Sequence, residues 1–158
     1  MFDTVVIATD GSDSVKRAVD VALDLASRFD AEVHALSVVD ASEVDASPQQ
    51  LRDELQTALE TTADAALATV EDRTDDDRDI ITAVREGRPA IELCEYAREV
   101  DADLIATGTR GRHGENRLLL GSVAERVVRT SPVPVLSVRQ LETVQDDDAG
   151  SDGLATGA

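Results

Sequence analysis

Short β-branched runs alternate along the chain with longer segments whose apolar residues recur every three or four positions. The first run, DTVVIATD (3–10), has the composition of a strand; in the segment that follows, GSDSVKRAVDVALDLASRF (11–29), Val15, Ala18, Val19, Ala22, Leu25, Ala26 and Phe29 share one helical face. Ser12 or Asp13 is the expected N-cap of that helix. AEVHALSVV (31–39) reads as a second strand. SPQQLRDELQTALETTADAALATV (47–70) reads as a second helix, with Ser47 as N-cap, Pro48 in the first turn and a stripe of Leu51, Leu55, Ala58, Leu59, Thr62, Ala66 and Val70. DIITAVRE (79–86), ADLIATG (102–108) and VPVLSVR (133–139) are the remaining strands, separated by helices over RPAIELCEYAREV (88–100) and SVAERVVRT (122–130).

Strands that alternate with helices predict a parallel sheet, because parallel neighbours need crossovers and the helices supply them. The expected fold class is α/β, a doubly wound five-stranded parallel sheet with helices on both faces, flavodoxin- or Rossmann-like. One domain, 1–139, accounts for this pattern. Beyond it QLETVQDDDAGSDGLATGA, residues 140–158, is rich in Asp and Gly with no apolar period and is expected to be an acidic disordered tail. EDRTDDDRD (71–79) is expected to be a solvated loop rather than a metal site.

Charge narrows the choice of partners. The 158 residues carry 33 acidic side chains against 15 basic ones, a net charge of -18, and Lys16 is the sole lysine. Such a field repels nucleic acid and anionic membranes, so neither is expected as a partner. It suits the salt-rich cytoplasm of a halophile, where a Debye length of about 3 Å at 1 M screens the self-repulsion. No apolar run approaches the roughly 20 residues of a membrane span, and MFDTVVIATD lacks the marks of a signal peptide, so a cytoplasmic location is expected. Cys94, the one cysteine, falls at helical spacing with Ile91, Leu93 and Ala97 and reads as a core residue. His34 lies within a strand and reads as structural.

In doubly wound sheets ligands bind at the carboxyl ends of the strands. Thr9, Asp10 and Gly11 leave the first strand, Val38, Val39 and Asp40 the second, and residues 108–111 the fourth. Gly108 and Gly111 permit a tight turn with exposed N–H groups, and Gly121 and Ser122 open a helix whose N-terminus favours an anion. Together these would cradle a phosphate. Glycines also cap helices and end strands without binding anything, so composition leaves both readings open.

The spacing is more specific. Gly108, two residues, Gly111, nine residues, then Gly121 and Ser122 match the G-2x-G-9x-G-S/T pattern of the nucleotide-binding branch of the universal stress protein family, which this sequence resembles. ATDGSDSVKRAVDVA, GRPAIELCEYAREVDADLIATGTRG and GSVAERVVRTSPVPVLSVR carry the resemblance across residues 2–139. It implies strand order 3-2-1-4-5, a homodimer formed through the last strand, and an ATP site, with Mg²⁺ held by the phosphates and other adenine nucleotides as further ligands. Ala8, Thr9 and Asp10 would border the nucleoside, with Asp10 on a ribose hydroxyl. Val38 would meet adenine through its backbone. Gly108, Gly111, Gly121, Ser122 and Val123 would hold the phosphates and the nearby ribose.

Plainer roles stand beside these. Asp10 can cap the turn before the first helix, and Ser122 is a natural N-cap for the fourth. Arg110, Arg112 and Arg117 either form a cationic patch beside a phosphate or pair with surface acids; of the three, Arg110 is the candidate contact. His113 has no Ser or Cys partner at a useful spacing. A P-loop, a kinase signature and a G-x-G-x-x-G fingerprint are missing from the sequence, and the third strand ends in VREG rather than in a phosphorylatable aspartate. The expected function is an adenine-nucleotide-binding sensor or regulator of the stress response without a catalytic residue. A weak ATPase or nucleotide hydrolase, and a dimeric interaction module without nucleotide, are the alternatives. The sequence does not identify the downstream protein partner.

Overall fold

The computed structural model describes residues 1–110 and 120–141. Its elements run β1 (Thr4–Ala8), a 3₁₀ turn (Asp13–Val15), α1 (Lys16–Phe29), β2 (Glu32–Asp40), α2 (Ala41–Asp45), a second 3₁₀ turn (Gln49–Leu51), α3 (Arg52–Asp72), β3 (Ile80–Gly87), α4 (Pro89–Glu99), β4 (Leu104–Gly108), α5 (Ser122–Thr130) and β5 (Val135–Val138). The five strands form one parallel sheet of order β3-β2-β1-β4-β5, as expected.

The pleat sorts the β-branched residues between two cores. Val5, Ile7, Val33 and Ala35 face α1 and α3, against Ala18, Val19, Ala22, Leu67 and Val70. Val6, Leu36 and Ile105 face α4 and α5, against Leu93, Cys94, Ala97 and Val127. Both faces of β1 are thereby removed from water, which is why its apolar run is continuous rather than alternating.

The helix ends differ from expectation. Ser12 occupies the cap position before the first 3₁₀ turn but makes no capping bond there, because its hydroxyl goes to Asp10 instead. Asp13 pairs with Lys16 at 2.6 Å. Ser47 caps nothing: its hydroxyl donates to the Glu43 carbonyl at 3.0 Å, and Pro48 precedes the 3₁₀ turn rather than an α-helix. The stripe on α3 also holds only in part. Ala63, Ala66, Leu67 and Val70 are buried, while Leu51 is exposed and Leu55 and Leu59 are half-buried. The buried positions of α3 all fall in its second half.

Phe29, at the end of α1, is half exposed and rests edge-on against Phe2 with ring centroids 5.2 Å apart. His34 is structural. Glu32 can only accept, so the ring donates from Nε2 to Glu32 Oε1 at 2.7 Å, and its Nδ1 lies 2.8 Å from the Tyr96 hydroxyl. Cys94 is buried, with Sγ 3.7 Å from Thr130 Oγ1. Past α3, residues 73–79 form a largely exposed connection in which Arg73 pairs with Asp20 and Arg78 donates to the Ala31 carbonyl at 2.7 Å. The segment 140–158 begins with an ordered contact, since Arg17 N–H donates to Gln140 Oε1 at 3.0 Å; residues 142–158 lie outside the described residues.

Candidate functional site

The chain leaves β1 for α1 on one face and leaves β4 towards α5 on the other, although β1 and β4 are neighbours. The winding reverses between them, and a crevice opens above their carboxyl ends. A cleft of about 390 Å³ occupies that position. Of the sequence candidates, Ala8, Thr9, Asp10, Val38, Gly108, Arg110, Gly121, Ser122 and Val123 all line it. Gly111 lies outside the described residues, as do Arg112, His113 and Arg117.

One side of the cleft is made by the turn after β1. Gly11 adopts φ +75°, a left-handed conformation that a glycine accepts without cost. Its N–H donates to Thr9 Oγ1 at 3.1 Å, and Ser12 N–H donates to Asp10 Oδ1 at 2.9 Å. Asp10 therefore does stabilise the turn, and it lines the cleft while doing so.

The far end is made by β2. Thr9 N–H donates to the Leu36 carbonyl at 3.0 Å, the last rung between β1 and β2. β2 continues to Asp40, paired from there on with β3 alone. Strand alternation turns the N–H and C=O of Val38 to the same side as those of Leu36, towards the space that β1 has vacated. A donor and an acceptor thus stand side by side where no strand among the described residues takes them up.

The remaining side joins β4 to α5. Gly121 N–H donates to the Thr109 carbonyl at 2.6 Å, clasping the two glycine-bearing segments together. Gly121, not Ser122, is the N-cap of α5: its backbone is extended (φ -61°, ψ 154°), and no side chain caps the helix. Ser122 is the first helical residue. The first-turn amides of α5 consequently lack intrahelical acceptors and present the positive end of the helix dipole to the cleft. Gly108 admits no side chain, because a Cβ there would come 3.1 Å from the Ser14 carbonyl oxygen and 3.5 Å from that of Arg110.

The lining also holds Asp40, expected at the end of the second strand but without a contact of its own, and Glu43, Leu59, Ala63 and Leu93, for which no site role was expected. Asp40 caps α2 by accepting from Ser42 N–H at 2.9 Å, and Glu43 follows on the same short helix. The signal was there in DASE (40–43), an N-cap acid followed three residues later by Glu, the pattern of a capping box. Leu59 and Ala63 from α3 and Leu93 from α4 supply apolar walls. Charge in the cleft is mixed: carboxylates of Asp10, Asp40 and Glu43 against the guanidinium of Arg110. Among the described residues the chemistry on offer is an apolar slot with a backbone donor and acceptor at one end and exposed amides with one cation, Arg110, at the other. Among the described residues no three His, Cys, Asp or Glu side chains are grouped to hold a metal, and no helix is long and apolar enough to cross a membrane.

Comparison with known proteins gives the family and the same fold. The model of the universal stress protein family matches residues 1–139. Universal stress protein MJ0531 of Methanocaldococcus jannaschii is 41% identical over 142 residues, covering 89% of this chain and 84% of the relative. A universal stress protein of Thermus aquaticus is 37% identical, covering 88% of this chain and all of the relative. Among solved structures, hypothetical protein MJ0577 superposes with a TM-score of 0.79 at 25% identity, covering 90% of this chain and 99% of its own. A universal stress protein in complex with cAMP superposes with a TM-score of 0.63 at 30% identity, covering 87% and 97%.

Proposed function

Because the chain belongs to the universal stress protein family, we propose that it binds an adenine nucleotide, ATP first among them, and acts as a sensor or regulator of the stress response. The observation that carries this reading is the convergence of Val38, Asp10, Gly108, Arg110 and the Gly121–Val123 helix start on one cleft. Adenine offers a ring-nitrogen acceptor beside an amino donor, the complement of the Val38 N–H and C=O. Asp10 suits a ribose hydroxyl, and the amides of Ser122 and Val123 with Arg110 suit phosphate. Gly111 belongs to the same reading through its place in the glycine pattern. Mg²⁺ is assigned to the phosphates rather than to side chains. The cAMP complex of a structural neighbour supports testing cyclic and shorter nucleotides beside ATP.

The reading extends to assembly and setting. β5 is an edge strand of four residues, Val128 and Val123 on the adjoining α5 are about half exposed, and Ser137 Oγ is a buried atom with no partner among the described residues. A second copy paired along β5 would cover that edge. The net charge of -18 fits a cytoplasm of high ionic strength.

Calorimetric titration of ATP, ADP, AMP and cAMP into the protein in molar KCl tests the proposal, with Gly121→Val as the control. Saturable binding that the variant loses supports it. Lack of heat with every nucleotide would replace it with an interaction module that takes no nucleotide, and light scattering that gives a monomer across the salt range would remove the dimer.

A further inference from the structure

Three close contacts run from the β1 turn to the β4 turn and join Asp10 to Arg110, two residues that line the cleft. Ser12 Oγ is 2.5 Å from Asp10 Oδ1, Ser12 Oγ is 2.8 Å from Ser14 Oγ, and Ser14 Oγ is 3.2 Å from the Arg110 carbonyl oxygen. A carboxylate and a carbonyl bring no protons, so two hydroxyls must serve all three contacts with two protons. One contact is always left without a hydrogen. The charged acceptor has first claim, which commits the Ser12 proton to Asp10. The Ser14 proton is then divided between Ser12 Oγ and the Arg110 carbonyl, and the 3.2 Å contact is the longest of the three.

A ligand hydroxyl supplies the missing proton. We infer that Asp10, Ser12 and Ser14 form a hydroxyl relay that couples a ribose hydroxyl bound at Asp10 to the backbone of Arg110; this rests on the nucleotide reading above. Once a ribose O–H donates to Asp10 Oδ1, the Ser12 hydroxyl is released and turns to Ser14 Oγ. Asp10 keeps its bond from Ser12 N–H at 2.9 Å, so the turn itself does not open. Ser14 then gives its whole proton to the Arg110 carbonyl. Of the four contacts three now carry a proton, the Ser12–Asp10 side-chain contact having exchanged its own for the ribose bond, and the peptide that precedes Gly111 is held more firmly than in the empty protein. No covalent bond changes, and every proton stays on its own oxygen. The close approach of Gly108 to the Ser14 and Arg110 carbonyls leaves these turns no slack to take up a shift, so the relay acts on Arg110 directly. Ser12 and Ser14 are positioning residues: they make ribose recognition at one end of the ligand strengthen phosphate binding at the other.

The test compares ATP, 2′,3′-dideoxy-ATP, adenosine and 2′,3′-dideoxyadenosine on the full chain by calorimetry in molar KCl. In the wild type, loss of the ribose hydroxyls should weaken ATP about fivefold more than it weakens adenosine, the equivalent of one net hydrogen bond. Ser14→Ala should erase that excess, leaving both ligands with the same hydroxyl penalty, and Ser14→Thr should restore it. Equal penalties in the wild type would overturn the relay without any variant having to fold, as would a Ser14→Ala that weakens all four ligands by one common factor. Wild-type protein that binds neither ATP nor adenosine would overturn the nucleotide reading and the relay together, an outcome distinct from nucleotide binding without coupling.

Discussion

Gly11 is pressed against Ala66: a Cβ built on the glycine would lie 3.0 Å from the Ala66 methyl carbon. The turn after β1 is thus wedged between the sheet and α3, and it holds φ +75° where it touches the helix. Gly11→Ala meets both the left-handed backbone penalty and the overpacking, and should destabilise the fold by about 1–3 kcal/mol. Adding Ala66→Gly should recover the packing part alone. Urea denaturation of the single and double variants checks this, and an unchanged midpoint for Gly11→Ala would contradict it.

Tyr96 is the sole tyrosine and the chain has no tryptophan, so phenolate absorbance reports on this group alone. Burial is the main cause that pushes its hydroxyl above the ordinary value of 10.0; the Arg85 cation opposes the shift, and Glu99 and Glu32 add to it. With the folded value above the unfolded one, the stabilisation is complete below about pH 10 and is lost as pH rises through the folded value. The native protein should titrate above 10 and the denatured protein near 10. Coincident curves would count against the buried hydroxyl.

Salt should tighten nucleotide binding rather than weaken it. Three carboxylates share the cleft with Arg110, and the chain as a whole carries -18. Between about 0.1 and 1 M salt the Debye length falls from about 10 to about 3 Å, which removes the long-range repulsion of an anion but leaves contacts at hydrogen-bond distance. ATP affinity should therefore rise with KCl, AMP less steeply, and uncharged adenosine hardly at all. A fall in ATP affinity over this range would show that the local cation outweighs the field.

Cys94 is buried against α5 and about 4% exposed. A bulky thiol reagent should label it only as fast as the protein opens, and within seconds in denaturant. Rapid labelling of the native chain would mean that the α4–α5 contact opens locally.

Much of this molecule was legible in the residues, and the failures have physical reasons. Val5, Val6 and Ile7 could be read as a doubly covered strand because both pleat faces need apolar side chains. Ser122–Thr130 is the helix its pattern predicts, since one face carries Ala124 and Val127 to the core. Glycine spacing located one end of the cleft. The other end was less visible: α2 has five residues and a single buried anchor, Val44, too little for a period to register, and with it went Glu43 and the capping role of Asp40. Leu51 misled because it falls in the 3₁₀ turn before α3, where the α-helical period does not hold. The Ser12–Ser14 contact was out of reach of pattern reading, since it depends on which of several acceptors a hydroxyl meets.

β2 outlasts β1, and the groups exposed by that mismatch belong to the peptide rather than to a side chain. Replacing Val38 by another ordinary residue leaves the same donor and acceptor in place. Point mutation of that residue therefore has little hold on what is recognised there. Insertion or deletion near Thr9 would have a strong one, because adding a rung to β1 would close the gap and removing one would widen it. Under the nucleotide reading, selectivity of this kind is stored in strand length, so it should persist while the surrounding sequence diverges and change abruptly where the loop lengths do.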